Sequence, residues 1–364
     1  MTGFDGLRIG LIGPLPPPAG GMANQTRQLA ELLCGAGAEV TLVQTNAPYR
    51  SALVGRIPLL RALFRLLPYA LALWRAAGRC DLFHVMANSG WSWHLFAAPA
   101  IHIAAWRGVP VVVNYRGGEA GPFLKRARTT VRRTVARAAL LVVPSGFLQA
   151  VFAQHGIDAQ ILPNIVDLAR FRPPQGQRVR GAHLVVVRNL EPIYDNATAV
   201  RALALLRQTH PAAHLTIAGT GPEAPALRAL VTSLGLEAVV RLTGRLDRDE
   251  VAALYREADV ALNPSTVDNM PNSVLEALAS GVPVVSTDVG GVPFLVQDGI
   301  TALLVPPYDP AALAAALGRL LDNPALSDRL AGAGLVEAQR YTWLRVSAVL
   351  AAAYHQALAL KTRQ

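Results

Sequence analysis

Cysteine is scarce in this sequence: Cys34 and Cys80 are its two cysteines among 364 residues. Two cysteines are too few for a disulfide framework or a cysteine-rich zinc site, and their scarcity suits a reducing cytosol. The N-terminus lacks a charged region followed by a long apolar run, so we expect no signal peptide. No apolar run reaches about 18 residues without charge or proline, so we expect no membrane-spanning helix. These absences predict a cytoplasmic protein.

Acidic residues are few, and their shortage is confined to one half of the chain. Residues 1–180 contain 20 lysines and arginines against 7 acidic residues, whereas residues 181–364 contain 14 against 17. Positive charge concentrated in one half indicates that this half meets an anionic surface. Over the whole chain 52% of the residues are hydrophobic. At about 100–200 residues per domain, that content is enough for two hydrophobic cores.

Short apolar runs alternate with helix-length segments through most of the chain. The runs are rich in β-branched residues and nearly continuous, as expected of strands buried on both faces of a sheet. Repeated strand–helix alternation indicates parallel sheets with right-handed crossovers. We therefore predict an α/β protein of two doubly wound, Rossmann-like domains facing across a cleft. The predicted strands are Leu7–Ile12, Glu39–Gln44, Leu82–Ala87, Val109–Asn114, Leu140–Pro144, Ala159–Leu162, His183–Val187, His214–Ala218, Val239–Gly244, Val260–Asn263, Val282–Ser286 and Ala302–Val305.

The boundary between the two domains is predicted near Phe171–Gln177, which is rich in proline and glycine and lacks periodicity. Such a composition is typical of an interdomain linker. We expect an N-terminal domain over residues 1–170, a linker over 171–182 and a C-terminal domain over 183–341. The remaining residues, 342–364, are expected to form a helix that packs back on the N-terminal domain.

A glycine-containing loop follows the first strand and precedes a helix. In it, Gly20 and Gly21 lack side chains, so an anion could approach the backbone N–H groups at the helix N-terminus. The loop matches neither a Walker A motif nor a G-x-G-x-x-G fingerprint. Its alternative interpretation is a flexible turn.

The segment from Pro264 to Val285 carries a stronger pattern. A strand enters a loop that contains Asp268, the loop turns into a helix near Asn272-Ser273, and Glu276 lies one turn into that helix. Asn272 or Ser273 is a candidate cap for the helix. A diphosphate would suit the helix N-terminus, and the two carboxylates are acceptors for sugar hydroxyls. The alternative is an acidic loop before an ordinary helix.

This segment resembles the retaining glycosyltransferases of group 1 (family 4), which have the GT-B fold. Asp268 and Glu276 stand where that family has its E-x7-E motif. The resemblance covers nearly the whole chain and is more specific in the second half. It extends through Gly219–Pro222, Leu242–Gly244, Ala258–Val260, Gly290–Pro293, Leu162–Asp167 and the loop at Gly20-Gly21.

The resemblance implies that the second domain binds a nucleotide-diphosphate sugar and that the first faces the acceptor. Asp268 should contact the donor sugar, Glu276 the ribose hydroxyls, and Arg188 the diphosphate. The residues expected in catalysis are Asp268, Arg116 and Arg188. The residues expected to bind the donor are Gly20, Gly21, Arg188, Asp268, Met270, Asn272, Ser273, Val274 and Glu276.

Several positions depart from the family pattern. Asp268 is one methylene shorter than glutamate, and Pro271 stands where glycine is usual. The family's lysine after the Arg188 position is absent, since Ile193, Tyr194 and Asp195 occupy that stretch. Arg116 replaces the usual histidine after the fourth strand. We hypothesise that Arg116 compensates for the missing cation, because a guanidinium group binds phosphate bidentately.

No metal site and no cofactor are expected. The histidines are too scattered to share a metal ion. Asp247-Arg248-Asp249 has a D-x-D spacing that could hold a metal-bound diphosphate, but acidic residues also favour the start of a helix. The resemblance likewise implies a reaction that needs no metal.

Two arginine-rich segments of the first half are interleaved with apolar residues. Arg50–Arg79 holds six arginines and no acidic residue, and residues 125–137 hold six more cations. Basic amphipathic helices of this kind favour anionic membranes. A solvated helix face is the alternative, and nucleic acid is not expected because no recognised binding module is present. The residues assigned to the membrane and acceptor face are Arg61, Arg65, Arg132 and Arg133.

These observations predict a hexosyltransferase that acts with retention on a lipid-linked saccharide acceptor, in exopolysaccharide, lipopolysaccharide or glycolipid assembly. We expect it to lie peripherally on the cytoplasmic face of the inner membrane. Two alternatives remain at this point: a nucleotide-sugar epimerase of the same architecture, and a non-catalytic subunit that binds a sugar nucleotide.

Overall fold

The computed structural model describes residues 3–17, 20–47, 58–176 and 181–361, with the side chains of residues 58–63 and 361 left out. The chain divides into two compact units, Met1–Asn164 with Leu344–Gln364, and Ile165–Trp343. Within the described ranges, every helix is too short or too polar to cross a bilayer.

The first unit contains a parallel six-stranded sheet of order β2-β1-β3-β4-β5-β6. Its central strands β3 and β4 are buried at every position, as expected of sequences that are apolar except for His84 and Asn114. The strands are β1 (Arg8–Gly13), β2 (Glu39–Gln44), β3 (Leu82–Ala87), β4 (Val111–Tyr115), β5 (Leu140–Val143) and β6 (Gln160–Ile161). The helices are α1 (Gly21–Gly35), α2 (Pro58–Ala77), α3 (Ala98–Trp106), α4 (Ala120–Val135), α5 (Gly146–Ala153) and, from the end of the chain, α12 (Trp343–Lys361).

The second unit contains another parallel sheet, of order β12-β11-β10-β7-β8-β9. Apolar clusters on both of its faces are formed by these strands and the helices that connect them. The strands are β7 (His183–Val187), β8 (His214–Ala218), β9 (Val240–Gly244), β10 (Val260–Asn263), β11 (Val284–Thr287) and β12 (Leu303–Val305). The helices are α6 (Asn196–Leu206), α7 (Ala224–Ser233), α8 (Arg248–Glu257), α9 (Asn272–Ala279), α10 (Pro310–Asp322) and α11 (Pro324–Ala338).

The predicted fold class is confirmed. Each predicted strand is present, with ends that differ by at most two residues, and the strands form two doubly wound parallel sheets. The alternation of apolar strands with amphipathic helices was sufficient to predict this, because it specifies the layers on both faces of each sheet.

The second unit starts and ends at other residues than the predicted C-terminal domain, Ile165 and Trp343 in place of 183 and 341. The first unit ends at Asn164, and the described part of the predicted linker 171–182 belongs to the second unit. The cause is Phe171, which is buried and packs edge-to-face on Tyr255 of α8, with 6.3 Å between ring centroids. Residues 177–180 of the predicted linker lie outside the described ranges. Helix α12 from Leu344 onward belongs to the first unit.

Candidate functional site

The order of the second sheet creates a switch point between β7 and β10. From β7 the chain continues to β8 on one side, whereas from β10 it continues to β11 on the other. Connections that leave in opposite directions open a crevice at the carboxyl ends of the strands, where ligands of open α/β sheets bind. Arg188 directly follows β7, and the loop with Asp268 follows β10. The fold therefore brings these two residues together, although they are 80 positions apart.

Arg188 is the centre of this crevice. Its Nε donates to the Oδ1 atom of Asn263 at 2.9 Å, and its terminal nitrogen forms an ion pair with the carboxylate of Asp268. The Tyr194 ring lies against the guanidinium, 4.8 Å from its Cζ atom. Both partners of the ion pair are 11% exposed, and burial lowers the pKa of Arg188. The pair is thus held in place by an amide, an aromatic ring and limited contact with water.

Helix α9 does not begin as predicted. The prediction that Asn272 or Ser273 is its N-cap is wrong. The N-cap is Pro271, which has no side-chain group to donate or accept, and Asn272 and Ser273 are the first two helical residues. The hydroxyl of Ser273 is buried without a hydrogen-bond partner in the described part of the chain. The N-cap residue therefore supplies no side-chain hydrogen bond to the N-terminus of α9.

Glu276 lies one turn into α9 in surroundings that penalise its charge. Burial raises the pKa of Glu276 to about 7, although Arg248, Arg188 and Arg170 oppose that rise. Desolvation of a carboxyl group has this effect because the apolar interior disfavours the ionised form. A carboxylate in such a place gains when a ligand brings hydroxyl donors to it.

Two glycines allow the loops around Arg188 to approach one another. A Cβ atom on Gly219 would overlap the carbonyl oxygen of Arg188, and one on Gly291 would overlap that of Asn269. The close approach is stabilised by the amide of Gly291, which donates to the Asp268 carbonyl at 2.8 Å. These glycines come from two of the segments that carried the resemblance, so the motifs have a packing role.

Tyr194 and Asp195 stand in the stretch where the family has its lysine, and the structure gives each of them a local role. Tyr194 supplies the ring against Arg188, whereas Asp195 is the N-cap of α6. The Asp195 carboxylate accepts from the backbone amide of Thr198 at 3.3 Å and from its hydroxyl at 2.7 Å. The stretch that usually holds a lysine therefore supports Arg188 and starts a helix.

In the first unit, Arg116 follows β4 and is held by three amide side chains. Its Nε donates to the Oδ1 atom of Asn114 at 2.8 Å, and a terminal nitrogen donates to Gln25 at 3.3 Å and to Asn164. Burial lowers the pKa of Arg116 to about 10, so it remains charged near neutral pH. Gln25 belongs to α1, and this contact ties the first turns of α1 to Arg116.

The N-terminus of α1 is built as the sequence predicts. Gly20 is the N-cap in an extended conformation, and the helix begins at Gly21 without a side-chain cap among the described residues. A Cβ atom on either glycine would meet nothing within 4 Å. The space in front of this helix end is therefore open within the described part of the first unit.

Two predicted donor-binding residues face the core instead. The side chains of Met270 and Val274 are buried in the apolar cluster that covers one face of the second sheet. Only their backbone groups are suited to meet a ligand. An amphipathic helix explains this, because its apolar positions must face the sheet.

The D-x-D segment has a structural role. Asp247 caps α8 in a capping box with Glu250, and Asp249 forms an ion pair with Arg170 at 2.9 Å. This matches the interpretation that acidic residues favour the start of a helix.

Sequence reasoning missed the asparagines that orient both arginines. Asn114 ends the run Val111–Val113 of β4, and Asn263 is the last residue of β10. Both are buried, and each accepts from the Nε of an arginine. A single amide residue near the carboxyl end of an otherwise apolar strand was the signal that could have identified them.

A separate surface lies on α2 of the first unit. The exposed apolar residues are Phe64 (56%), Leu67 (61%), Leu71 (47%) and Trp74 (45%), and Trp106 at the end of α3 is 79% exposed. Arg107 lies over the Trp74 ring at 4.7 Å, and Arg65 over the Phe96 ring at 5.5 Å. Arg132 and Arg133 are exposed on α4, whereas the side chain of Arg61 lies outside the described residues. We call the exposed apolar residues of α2 with Trp106 the α2 face.

Comparisons with known proteins agree with this geometry. The family model for group 1 glycosyl transferases matches residues 181–323, and that for glycosyltransferase family 4 matches residues 19–170. The chain is 31% identical over 317 residues to a D-inositol 3-phosphate glycosyltransferase of Salinispora arenicola, covering 78% of this chain and 70% of the relative. It is 33% identical over 278 residues to a glycogen synthase of Mycobacterium tuberculosis, covering 71% and 66%.

Other relatives are longer than this chain. A D-inositol 3-phosphate glycosyltransferase of Acidothermus cellulolyticus is 35% identical over 218 residues, covering 55% of this chain. The matched region spans about half to two thirds of the length of the first curated relatives, 48% and 66%.

Solved structures show the same fold at low sequence identity. Sucrose-phosphate synthase from Thermosynechococcus elongatus has a TM-score of 0.76 at 22% identity, covering 97% of this chain and 100% of that one. Anabaena HepE in complex with UDP and glucose has a TM-score of 0.73 at 17% identity, covering 96% and 99%.

Proposed function

The chain belongs to the group 1 (family 4) glycosyltransferases, and on that basis we propose that it transfers a sugar from a nucleotide-diphosphate sugar to an acceptor. The transfer proceeds with retention of anomeric configuration and needs no metal ion. The observation that carries the proposal is the meeting of Arg188, Asp268 and the N-terminus of α9 at the switch point of the second sheet.

The diphosphate is the group that this crevice suits. Arg188 presents a buried cation, and the N-terminus of α9 adds a positive dipole. When the bond from the sugar to the diphosphate breaks, negative charge grows on the leaving oxygen. A cation fixed in advance stabilises that charge without reorganisation. In the first unit, Arg116 is a second buried cation, and we assign it to catalysis as well.

The anomeric configuration is retained if the acceptor oxygen attacks the same face of the sugar from which the diphosphate leaves. The acceptor O–H proton passes to the leaving phosphate oxygen as the new bond to the sugar forms, so no protein base is required. The protein then contributes position and electrostatic stabilisation. Asp268 orients the donor sugar through its hydroxyls, and Glu276 holds the ribose.

A screen of donors tests this proposal directly. UDP-, GDP- and ADP-sugars are added in turn, and the thermal midpoint is measured. A donor at a hundred times its Kd should stabilise the fold by about 2.7 kcal/mol. Release of nucleotide diphosphate with a glycosylated acceptor supports transfer, donor conversion without an acceptor indicates an epimerase, and binding without turnover indicates a non-catalytic subunit.

Replacing Asp268 with asparagine should slow transfer while leaving the affinity for the free nucleotide within about twofold of wild type. The proposed partner of Asp268 is the sugar, and an amide exchanges one acceptor for a donor. Losing a hydrogen bond of a charged group corresponds to about 1.5–3 kcal/mol, so turnover should fall by roughly ten- to a hundred-fold. Calorimetry with nucleotide and with nucleotide-sugar separates the two effects, and equal losses for both ligands would contradict the assignment.

We further propose that the acceptor is a lipid-linked saccharide and that the first unit docks on an anionic membrane at its cytoplasmic face. The α2 face presents large apolar residues at positions 64, 67, 71 and 74, a helical spacing that places them on one side. Arg107 lies beside Trp74, and the half of the chain that holds this face has 20 basic against 7 acidic residues. Apolar insertion and attraction to anionic lipid are the two forces that such a surface uses. Exopolysaccharide, lipopolysaccharide or glycolipid assembly would present such an acceptor.

Liposome sedimentation should show binding that requires anionic lipid and weakens with salt, since each cation near the surface contributes about 1 kcal/mol. Arg132→Gln with Arg133→Gln, and separately Leu67→Ser with Trp74→Ser, should each reduce binding by about tenfold or more. Arg201→Gln with Arg228→Gln in the second unit removes the same charge from another exposed surface and serves as the control. If the wild-type protein ignores anionic liposomes at low salt, a water-soluble acceptor replaces this proposal.

A further inference from the structure

His84 is a buried histidine in the middle of β3 with a polar partner on each ring nitrogen. Its Nε2 lies 3.0 Å from the amide nitrogen of Asn114, and its Nδ1 lies 2.9 Å from the hydroxyl of Tyr354 in α12. All three side chains have no measurable exposure to solvent. Asn114 in turn accepts from the Nε of Arg116 at 2.8 Å. A continuous chain of hydrogen bonds therefore joins the last helix to Arg116.

Arg116 fixes the direction of every bond in this chain. A guanidinium N–H can only donate, so the amide of Asn114 must present its oxygen to Arg116 and its NH₂ group to His84. The Nε2 atom of His84 must then accept, which leaves its proton on Nδ1, and that proton is donated to the Tyr354 oxygen. Burial and the charge of Arg116 lower the pKa of His84 to about 3, which keeps the ring neutral, as this arrangement requires.

We propose that His84 and Tyr354 are positioning residues, which hold the Arg116 guanidinium in its working orientation through the amide of Asn114. The inference rests on the proposed catalytic role of Arg116. Without the Tyr354 oxygen, the Nδ1 proton of His84 has no acceptor in this chain of bonds. The ring cannot relieve this by moving its proton to Nε2, because Arg116 keeps the NH₂ group of Asn114 turned toward that atom. The ring therefore shifts in search of an acceptor, the hydrogen bond from Asn114 to Nε2 weakens, and the Asn114 amide holds the guanidinium less firmly.

Tyr354→Phe tests the proposal, because it removes one oxygen and preserves the ring packing on Phe4 and His84. With the best donor from the screen, nucleotide diphosphate release should fall about tenfold in kcat, with KM for the donor within about twofold, since the orientation of a cation matters most in the transition state. Tyr69→Phe is the matched control, as it removes another buried phenol oxygen in the same unit, one that donates to the Phe96 carbonyl at 2.9 Å. It should leave kcat unchanged.

A double-mutant cycle that combines Tyr354→Phe with Arg116→Ala decides whether Tyr354 acts through Arg116. If it does, Tyr354→Phe lowers kcat in the wild-type background and changes it by less than about twofold when Arg116 is already alanine. Equal losses in both backgrounds overturn the proposal. A loss in Arg116→Ala with none in Tyr354→Phe overturns it while leaving the role of Arg116 intact. If Arg116→Ala has the same kcat as the wild-type protein, the role of Arg116 and the positioning role of Tyr354 are both overturned, although wild-type turnover would still support a transferase.

The tautomer of His84 is a second measurement that does not depend on activity. Nitrogen-15 chemical shifts of the histidine rings distinguish a proton on Nδ1 from one on Nε2, and His84→Gln identifies the resonance among the eight histidines. We expect Nδ1–H in both the wild-type protein and Tyr354→Phe, because Arg116 still fixes the direction of the Asn114 amide. Nε2–H in the wild-type protein would overturn the proposed direction of the bonds.

Discussion

Replacing Glu276 with alanine should lower donor affinity by about ten- to a hundred-fold, the equivalent of one hydrogen bond to a charged acceptor, about 1.5–3 kcal/mol. The carboxyl group lies one turn into α9, so the ribose of a donor whose diphosphate binds at the N-terminus of α9 should reach it. Calorimetry on a folded variant measures the loss. Glu237→Gln, which removes an exposed charge from the same unit, is the control and should leave affinity unchanged. Unchanged donor binding in Glu276→Ala would show that the motif is misassigned.

The raised pKa of Glu276 also predicts that donor affinity and the free energy of unfolding change in opposite directions with pH. Because its pKa in the folded protein is raised from 4.5 to about 7, its neutral form stabilises the fold. That contribution is complete below about pH 4.5 and is lost as pH rises through 7. Donor binding needs the carboxylate, so affinity should instead rise over pH 6 to 8.

Glu276→Gln separates the two trends. At about 1.36 kcal/mol per pKa unit, the variant should be more stable than wild type at pH 8 by up to about 3 kcal/mol and equal to it at pH 4.5. Its weaker donor binding should no longer depend on pH through this group. Denaturant unfolding and calorimetry at the two ends of the range measure both quantities. A variant that is less stable than wild type at pH 8 would contradict the assigned burial of charge.

Arg188→Ala should lower kcat by about a hundred- to a thousand-fold, the loss typical of a group that stabilises transition-state charge. It should also destabilise the fold by about 3–5 kcal/mol, because Asp268 is left as an uncompensated, nearly buried charge. Chemical denaturation and turnover are measured on the same preparation.

The double variant Arg188→Ala with Asp268→Ala distinguishes the two losses. Removing both partners of a buried pair should recover most of the stability, whereas turnover should be no higher than in Arg188→Ala, because the proposed contact of Asp268 with the donor sugar is lost as well. Arg188→Lys keeps the charge but loses the planar fork and the stacking on Tyr194, so an intermediate turnover is expected. Recovery of turnover in the double variant would show that Arg188 acts only by neutralising Asp268.

The strands were predictable because they are buried on both faces, and burial leaves a nearly continuous apolar run in the sequence. The predicted ends of β3 and β7 are those of the structure. The switch point follows from the strand order, which the sequence did not specify. Arg188, Asp268 and Glu276 were located by motif, but the ion pair of Arg188 with Asp268 joins residues 80 positions apart. Local pattern carries no information on such a contact.

The predictions that differ from the structure concern side chains with two alternative partners. Phe171 lies in a segment with the composition of a linker, yet its ring finds Tyr255. Ser273 is a good cap by residue type, but α9 begins one residue before it. The link from His84 to Tyr354 spans 270 positions, and neither residue belongs to a motif. Each outcome depends on tertiary packing, which outweighs local preference.

The first unit is completed by α12, which follows the whole second unit in the chain. When residue 164 leaves the ribosome, His84 and Phe4 have been made, but the tyrosine that packs on both is still about 190 residues away in the chain. At about 5–20 residues per second, the unit waits for roughly 10–40 seconds before that tyrosine exists. The unit that holds Arg188 is contiguous and needs no such wait. Of these two units, the one whose strands are synthesised earlier is therefore the one that can finish folding later.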